Sequence, residues 1–336
     1  TSFNQDISGW NVGSVRQMSF MFYGASSFNQ DISSWNVSNV GKMSNMLDGT
    51  SFSPQNYDKL LNAWSDLSLQ GFVAFGAGNS TYCSGGDARQ KIIDDFGWTI
   101  TDAGKGCPFI TTWKTDNPGK SDDNSIEIPT GEDYTFAYTV DWGDGSMDNT
   151  VYTGNAIHTY ATPGTYTVSI SGAFPHLQFR FYEDTDGDNK KLLSVEKWGS
   201  QVWESMESSF AWCSNLVINA TDVPDLSQVY SMRYMFQGAT SFNQDISGWN
   251  VSNVVDMNSM FYAATSFNQD IGSWDVSNVY DMTYMFYDTP AFNQDIGGWN
   301  VSNVKYMLYM FWKATAFNQN IQRSQYGMDV PRGNGF

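Results

Sequence analysis

SFNQDISGWNVSNVVDMNSMFYAAT, running from Ser241 to Thr265, decides how the chain is read. Nearly the same words follow from Ser266 and again from Ala291. Phe242, Phe267, Phe292 and Phe317 open copies spaced by 25 residues, and Phe3 and Phe28 open an earlier pair at the same spacing. The register holds through the unit. Trp10, Trp35, Trp249, Trp274 and Trp299 form one column, and Val12, Val37, Val251, Val276 and Val301 another.

Within a unit the apolar period changes. Trp249 and Val251 alternate, which predicts a short strand, whereas Val254, Met257, Met260, Phe261 and Ala264 recur every three or four residues and predict one face of a short helix. Such a unit buries its apolar face only against its neighbours, so the pattern predicts a repeat solenoid of strand-plus-helix coils with neighbouring strands about 4.8 Å apart. The spacing falls within the range of leucine-rich repeats, about 20–29 residues. Asn side chains stacked in register can bond to one another and to turn backbones.

Around this pattern, 41% of the 336 residues are hydrophobic and 15% are charged, enough apolar material for packed cores and too little charge for wholesale disorder. The 17 Lys and Arg face 35 Asp and Glu, a net charge of −18. That surface repels phosphate backbones and argues against nucleic-acid partners. It suits high salt or divalent cations, with solubility as the blander explanation. No apolar run is long enough to span a bilayer. The chain opens within a repeat and without an initiator Met, so it reads as a segment of a longer molecule. Of three cysteines, Cys83 and Cys107 bracket one short region and predict a disulfide and an oxidising compartment. Cys213 sits among apolar residues and is read as filling core space.

Candidate chemistry is sparse. His158 and His176 are the only histidines, and no nucleophile elbow, phosphate loop or Cys/His metal spacing appears, so the reading is of a protein that is not an enzyme. Asp184, Asp186 and Asp188 alternate as calcium ligands do, although the sixth position is Asn189 and the twelfth Val195. A calcium site and a plain acidic turn both stay open there. The Asp column at 6, 31, 245, 270 and 295 is read first as capping backbone N–H groups at turns, and otherwise as a line of cation or ligand contacts. Tyr23, Tyr262, Tyr287 and Trp312 follow the Met-Phe pair of their units. They are either packed between coils or exposed as a ligand-binding stripe.

The repeated words in residues 1–50 and 224–321, close to FNQDISxWNVSNVxxMxxMF, resemble the BspA-like leucine-rich repeat surface proteins of bacteria. Between them, Trp142 to Gly145, His158, Tyr160, Pro163, Gly164, Tyr166 and Val168 resemble the signature of a PKD-type, immunoglobulin-like sandwich. The expected organisation is therefore the end of a first array (1–50), its C-terminal cap (51–107), a PKD-like all-β sandwich (108–180), a second array with its own opening cap (181–321), and a tail of unassigned role (322–336). The resemblance implies an extracellular, bacterial cell-surface location and attachment to host, matrix, glycan or cell-surface ligands, with no chemistry. The rival is a segment of an extracellular fibre or matrix that mainly binds copies of itself, and a third class is a polysaccharide-directed enzyme carrying a PKD module.

Overall fold

The computed structural model describes residues 2–146, 148, 150–179 and 187–321. The chain divides into two compact units, one of residues 1–109 with 147–150, the other of residues 110–146 with 151–336.

In the first unit, helix α1 (Pro54–Ser65) starts where Ser53 accepts a hydrogen bond from the Asn56 N–H and Pro54 pre-sets the first turn. It buries Tyr57, Leu60, Leu61 and Trp64. The three-residue strand β1 (Ala74–Gly76) lies parallel to β2 (Thr99–Thr101), and between them helix α2 (Gly86–Phe96) ends on Gly97, whose φ of 66° is the left-handed stop that glycine supplies most readily. The N-terminus of α2 is held by a residue of α1. The buried Asp58 carboxylate accepts from the backbone N–H groups of Cys83, Ser84 and Gly85 at 2.8–2.9 Å, as a cap delivered from another helix. The sulfurs of Cys83 and Cys107 are 2.17 Å apart, closing a loop with a sequence separation of 24.

The second unit carries two sheets. One has five strands in the order β5–β7–β3–β8–β9, formed by β3 (Phe109–Lys114), β5 (Ala137–Asp141), β7 (Thr165–Ala173), β8 (Leu192–Lys197) and β9 (Val217–Ile218). The other pairs β4 (Ser125–Ile128) with β6 (Ala156–Thr159), antiparallel. Trp113, Tyr138, Trp142, Ile170 and Phe174 are fully buried here. Behind the sheet, Lys191 is buried with its Nζ donating to the Ser121, Asp122 and Ser125 carbonyls and to Ser121 Oγ at 2.8–2.9 Å.

One expectation about fold is corrected. The described chain is mainly β, with small sheets and two helices, and it is not a repeat solenoid of strand-plus-helix coils. The segment expected to be helical shows why. Ser259 and Ala263 have φ of 56° and 54°, the left-handed region that a right-handed helix excludes. The N–H groups of Met257, Ser259, Phe261 and Ala263 leave their own segment and donate to the Asp281, Thr283, Met285 and Tyr287 carbonyls of the following unit. Those of Met260, Tyr262 and Ala264 turn back three residues, to Met257, Ser259 and Phe261. Consecutive tight turns therefore generate the same three-to-four apolar spacing as a helix. The expected strand at Trp249 and Val251 is replaced by turns too, with Trp249 N–H bonded to Ile246 O and Val254 N–H to Val251 O. Between units the β contribution shrinks to single-residue parallel bridges, Ser231 to Asp256 to Asp281 to Tyr306.

The stretch expected to form a sandwich does contribute strands to two sheets, and its pairing reaches beyond residue 180. Strand β3 takes as its antiparallel neighbour β8, with Ile110 opposite Lys197, and β9 extends the same sheet in parallel. Strands lying before and after residue 180 thus share one sheet.

Side chains lock the repeated units in register. Asn268 N–H donates to Asn243 Oδ1, Asn293 N–H to Asn268 Oδ1 and Asn318 N–H to Asn293 Oδ1, each at 2.8–2.9 Å. The indoles of Trp274 and Trp299 donate to the carbonyls of Ile246 and Ile271. Each repeated word in the sequence answers a backbone group in the unit beside it.

Candidate functional site

Each repeated unit bends its chain through the left-handed region twice, four residues apart. The pairs are 20 and 24, 45 and 49, 208 and 212, 234 and 238, 259 and 263, 284 and 288, and 309 and 313. Glycine, the residue suited to that geometry, holds the second place at Gly24, Gly49 and Gly238. At Gly238 a side chain is also excluded by the Trp212 ring, 2.2 Å from where a Cβ would stand. At the first place stand Phe20, Tyr234, Tyr284 and Tyr309, which glycine or asparagine would relieve of strain. Asn45 shows the relaxed choice. Phe20 is 58% and Tyr309 48% exposed, whereas Tyr234 and Tyr284 are half-buried.

In the second unit the rings meet. Tyr262 and Tyr287 stack at 4.7 Å with planes 1° apart, and Tyr284 and Tyr309 stack at 5.5 Å. Tyr284 stands edge-on to Tyr287, and Tyr309 edge-on to Trp312. Of the four aromatics expected to form a stripe, Tyr262, Tyr287 and Trp312 thus join one cluster. Tyr23 lies in the first unit, edge-on to Phe20 at 5.7 Å. Tyr284 and Tyr309 escaped the sequence reading, although an aromatic three residues before the expected column recurs at Phe20, Tyr284 and Tyr309.

Cations already rest on these rings. Lys313 Nζ lies 6.0 Å from the centre of the Tyr287 ring and 4.0 Å from an Asp288 carboxylate oxygen. Arg233 lies 4.6 Å from the centre of Tyr234 and donates to its hydroxyl at 2.7 Å. Partial burial and the neighbouring Tyr287 and Asp288 push the Tyr262 phenol up.

Beside the rings runs a carboxylate step. Asp256 is held above its usual range, chiefly by burial and then by Asp281, against the lowering effects of the Asn258 N–H and Arg233. An acid with a raised native pKa binds its proton more tightly folded than unfolded, so this group weakens the fold above that pKa and the penalty disappears as pH falls through it. Asp256→Asn keeps an oxygen for the Asn258 N–H, 2.8 Å away, and drops the charge. The variant is expected to melt higher than the parent at pH 7, with the gain gone at pH 3. Melting curves at both values check this, and a gain that persists at pH 3 refutes the electrostatic cause.

The remaining expected sites are placed as follows. Asp184 and Asp186 lie outside the described residues. Asp188 is buried and accepts from Ser121 N–H, Ser121 Oγ and Glu127 N–H at 2.7–2.9 Å. Among the described residues no three His, Cys, Asp or Glu side chains gather in a group that could hold a metal ion. Each Asp of the repeated column accepts from the backbone N–H two residues on, as Asp245 does from Ser247 and Asp270 from Gly272. His158 bonds to the Asp144 carboxylate at 2.9 Å and stacks on Trp142. His176 donates to the Glu207 carbonyl, and burial pushes its pKa down to about 4. Cys213 is free and buried. No described helix is long and apolar enough to cross a membrane.

No curated protein and no solved structure matches the chain. A family model matches residues 1–68 and 204–324, more than half of the chain and all of the repeated words. With that match over the segments that carry the aromatic turns, the chain belongs to the family described as Mycoplasma protein of unknown function, DUF285.

Proposed function

We propose that this is a non-enzymatic, extracellular cell-surface protein that attaches through the aromatic face of its repeated units. The observation that carries the reading is the placing of Tyr284 and Tyr309 at left-handed turn positions, where the backbone favours glycine or asparagine, with Tyr309 exposed and Tyr284 half-buried beside it. A ring retained against its own backbone preference points to a use for the ring. Membership of a family associated with BspA-like surface proteins supports the same reading. Attachment would be multivalent, with several modest sites on one scaffold acting together by effective concentration. Host, matrix, glycan or cell-surface molecules are the proposed ligands.

The test uses the double variant Tyr284→Asn/Tyr309→Asn, which removes both rings while giving the turns a residue that tolerates them. The whole chain, labelled, is applied to cultured cells, matrix proteins and a glycan array. Parent protein is expected to attach, and the variant to lose about tenfold or more, the scale of losing binding hot spots. Attachment unchanged in the variant refutes the reading. If the parent instead scatters more light as its concentration rises and attaches to nothing else, self-association takes the place of adhesion.

A further inference from the structure

We infer that the aromatic face of the second unit takes a lysine- and arginine-rich segment of a partner protein. This rests on the reading of that face as a binding surface and names the chemistry it would bind.

Three observations carry it. The first is what the rings still offer. Tyr262 and Tyr287 lie face to face, as do Tyr284 and Tyr309, so these partners cover each other's inner faces. What remains open to a ligand is their outer faces and rims, and a cation is drawn to such a face. The second is what already occupies the open positions. Both cation–ring contacts on these turns, Lys313 over Tyr287 and Arg233 over Tyr234, place a basic side chain against a tyrosine. The chain itself thus shows the ligand chemistry its rings accept, an electrostatic attraction between a cation and the ring.

The third observation is charge. Between residues 224 and 321 eight Asp side chains face one Arg and two Lys. Asp288 follows Tyr287 directly and contributes to raising the Tyr262 phenol, so a carboxylate borders the ring cluster. The Lys313 ammonium, 57% exposed, satisfies only part of this acidity. An incoming ammonium or guanidinium finds ring, phenol oxygen and carboxylate within one patch, whereas an acidic partner meets repulsion.

The experiment measures binding of fluorescent decalysine and decaarginine to the whole chain by anisotropy, with a neutral Gly-Ser decapeptide and a neutral oligosaccharide as competitors. The basic peptides are expected to bind, more weakly as salt rises, and neither competitor to displace them. Tyr284→Asn/Tyr309→Asn leaves the net charge unchanged and is expected to weaken binding by about five- to thirtyfold, from two lost exposed cation–ring contacts. Lys313→Gln should strengthen it by about two- to fivefold, because it frees the Tyr287 ring and Asp288. Circular dichroism of each variant confirms that it folds. Equal affinity of parent and tyrosine variant means attraction by net charge alone and overturns the inference. Displacement by the oligosaccharide overturns it too. If the tyrosine variant loses cell attachment while basic peptides bind to neither protein, the ligand chemistry is wrong and the adhesive reading stands. If peptide binding falls but cell attachment does not, the adhesive reading fails instead.

Discussion

Replacing Lys191 with Met is expected to destabilise the second unit by about 3–5 kcal/mol, the scale of removing one partner from a buried charged network. The Nζ of Lys191 has no exposed surface and meets three backbone carbonyls and the Ser121 hydroxyl at 2.8–2.9 Å. These acceptors come from residues 121–125, about seventy positions away in sequence, so one ammonium ties the loop before β4 to the loop before β8. Burial lowers the pKa of the ammonium, while Asp188, Asp123, Asp122 and Asp116 oppose that shift. Methionine fills much of the same volume but donates nothing. It would remove the ammonium from four acceptors, of which the Ser125 carbonyl keeps the Ser121 hydroxyl as a partner, and leave Asp188, whose oxygen lies 3.9 Å from Nζ, without its nearest cation. Urea titration followed by the fluorescence of the nearby tryptophans checks this. A loss below about 1 kcal/mol would mean that water replaces the ammonium easily and that the network is not closed.

A comparable loss, about 3–5 kcal/mol, is expected for Phe261→Ala. Phe261 is fully buried and stacks on Phe236 and Phe286 at 5.7 Å and on Phe267 at 4.0 Å. Its neighbours belong to the units before and after its own, held at a fixed distance by backbone hydrogen bonds, so they cannot close over the gap. The expected signature is therefore a lowered midpoint together with faster hydrogen exchange at Met257, Ser259 and Ala263, whose N–H groups bridge to the next unit. A small loss would show that the column relaxes freely, against the rigid spacing described here.

How much of this the sequence disclosed depends on the range of the interactions involved. The columns of Trp, Val, Asn and Asp were legible because a physical ladder forces the same residue to recur in each unit. The helices were legible at Leu60, Leu61 and Trp64 and at Ala88 to Phe96, where the apolar spacing coincides with a Ser-Pro start or a Gly stop. The repeated segment deceived because helix and consecutive turns share one spacing, and the left-handed residues include Ser259, Ala263 and Tyr284, types that seldom announce such a conformation. Gly24, Gly49 and Gly238 were the available signal, each four residues after the first turn. The pairing of β3 with β8 was out of reach because Ile110 meets Lys197 across the whole intervening sequence. For the aromatic face, reading a single column found Tyr262, Tyr287 and Trp312 but omitted Tyr284 and Tyr309, the residues under strain.

The hydrogen bonding between units has an evolutionary consequence. The segment from Asp256 to Ala263 sends four N–H groups to the next unit, and its carbonyls at Asp256, Asn258, Met260 and Tyr262 receive four from the unit before. Since what it gives forward equals what it takes from behind, a whole 25-residue word can be duplicated or deleted while every junction keeps its bonds. An insertion of an odd number of residues within that segment would set donors opposite donors. Such a chain can change length by copying while its chemistry stays the same, and each added word would bring another pair of left-handed turn positions on which selection can try a ring, an amide or a charge.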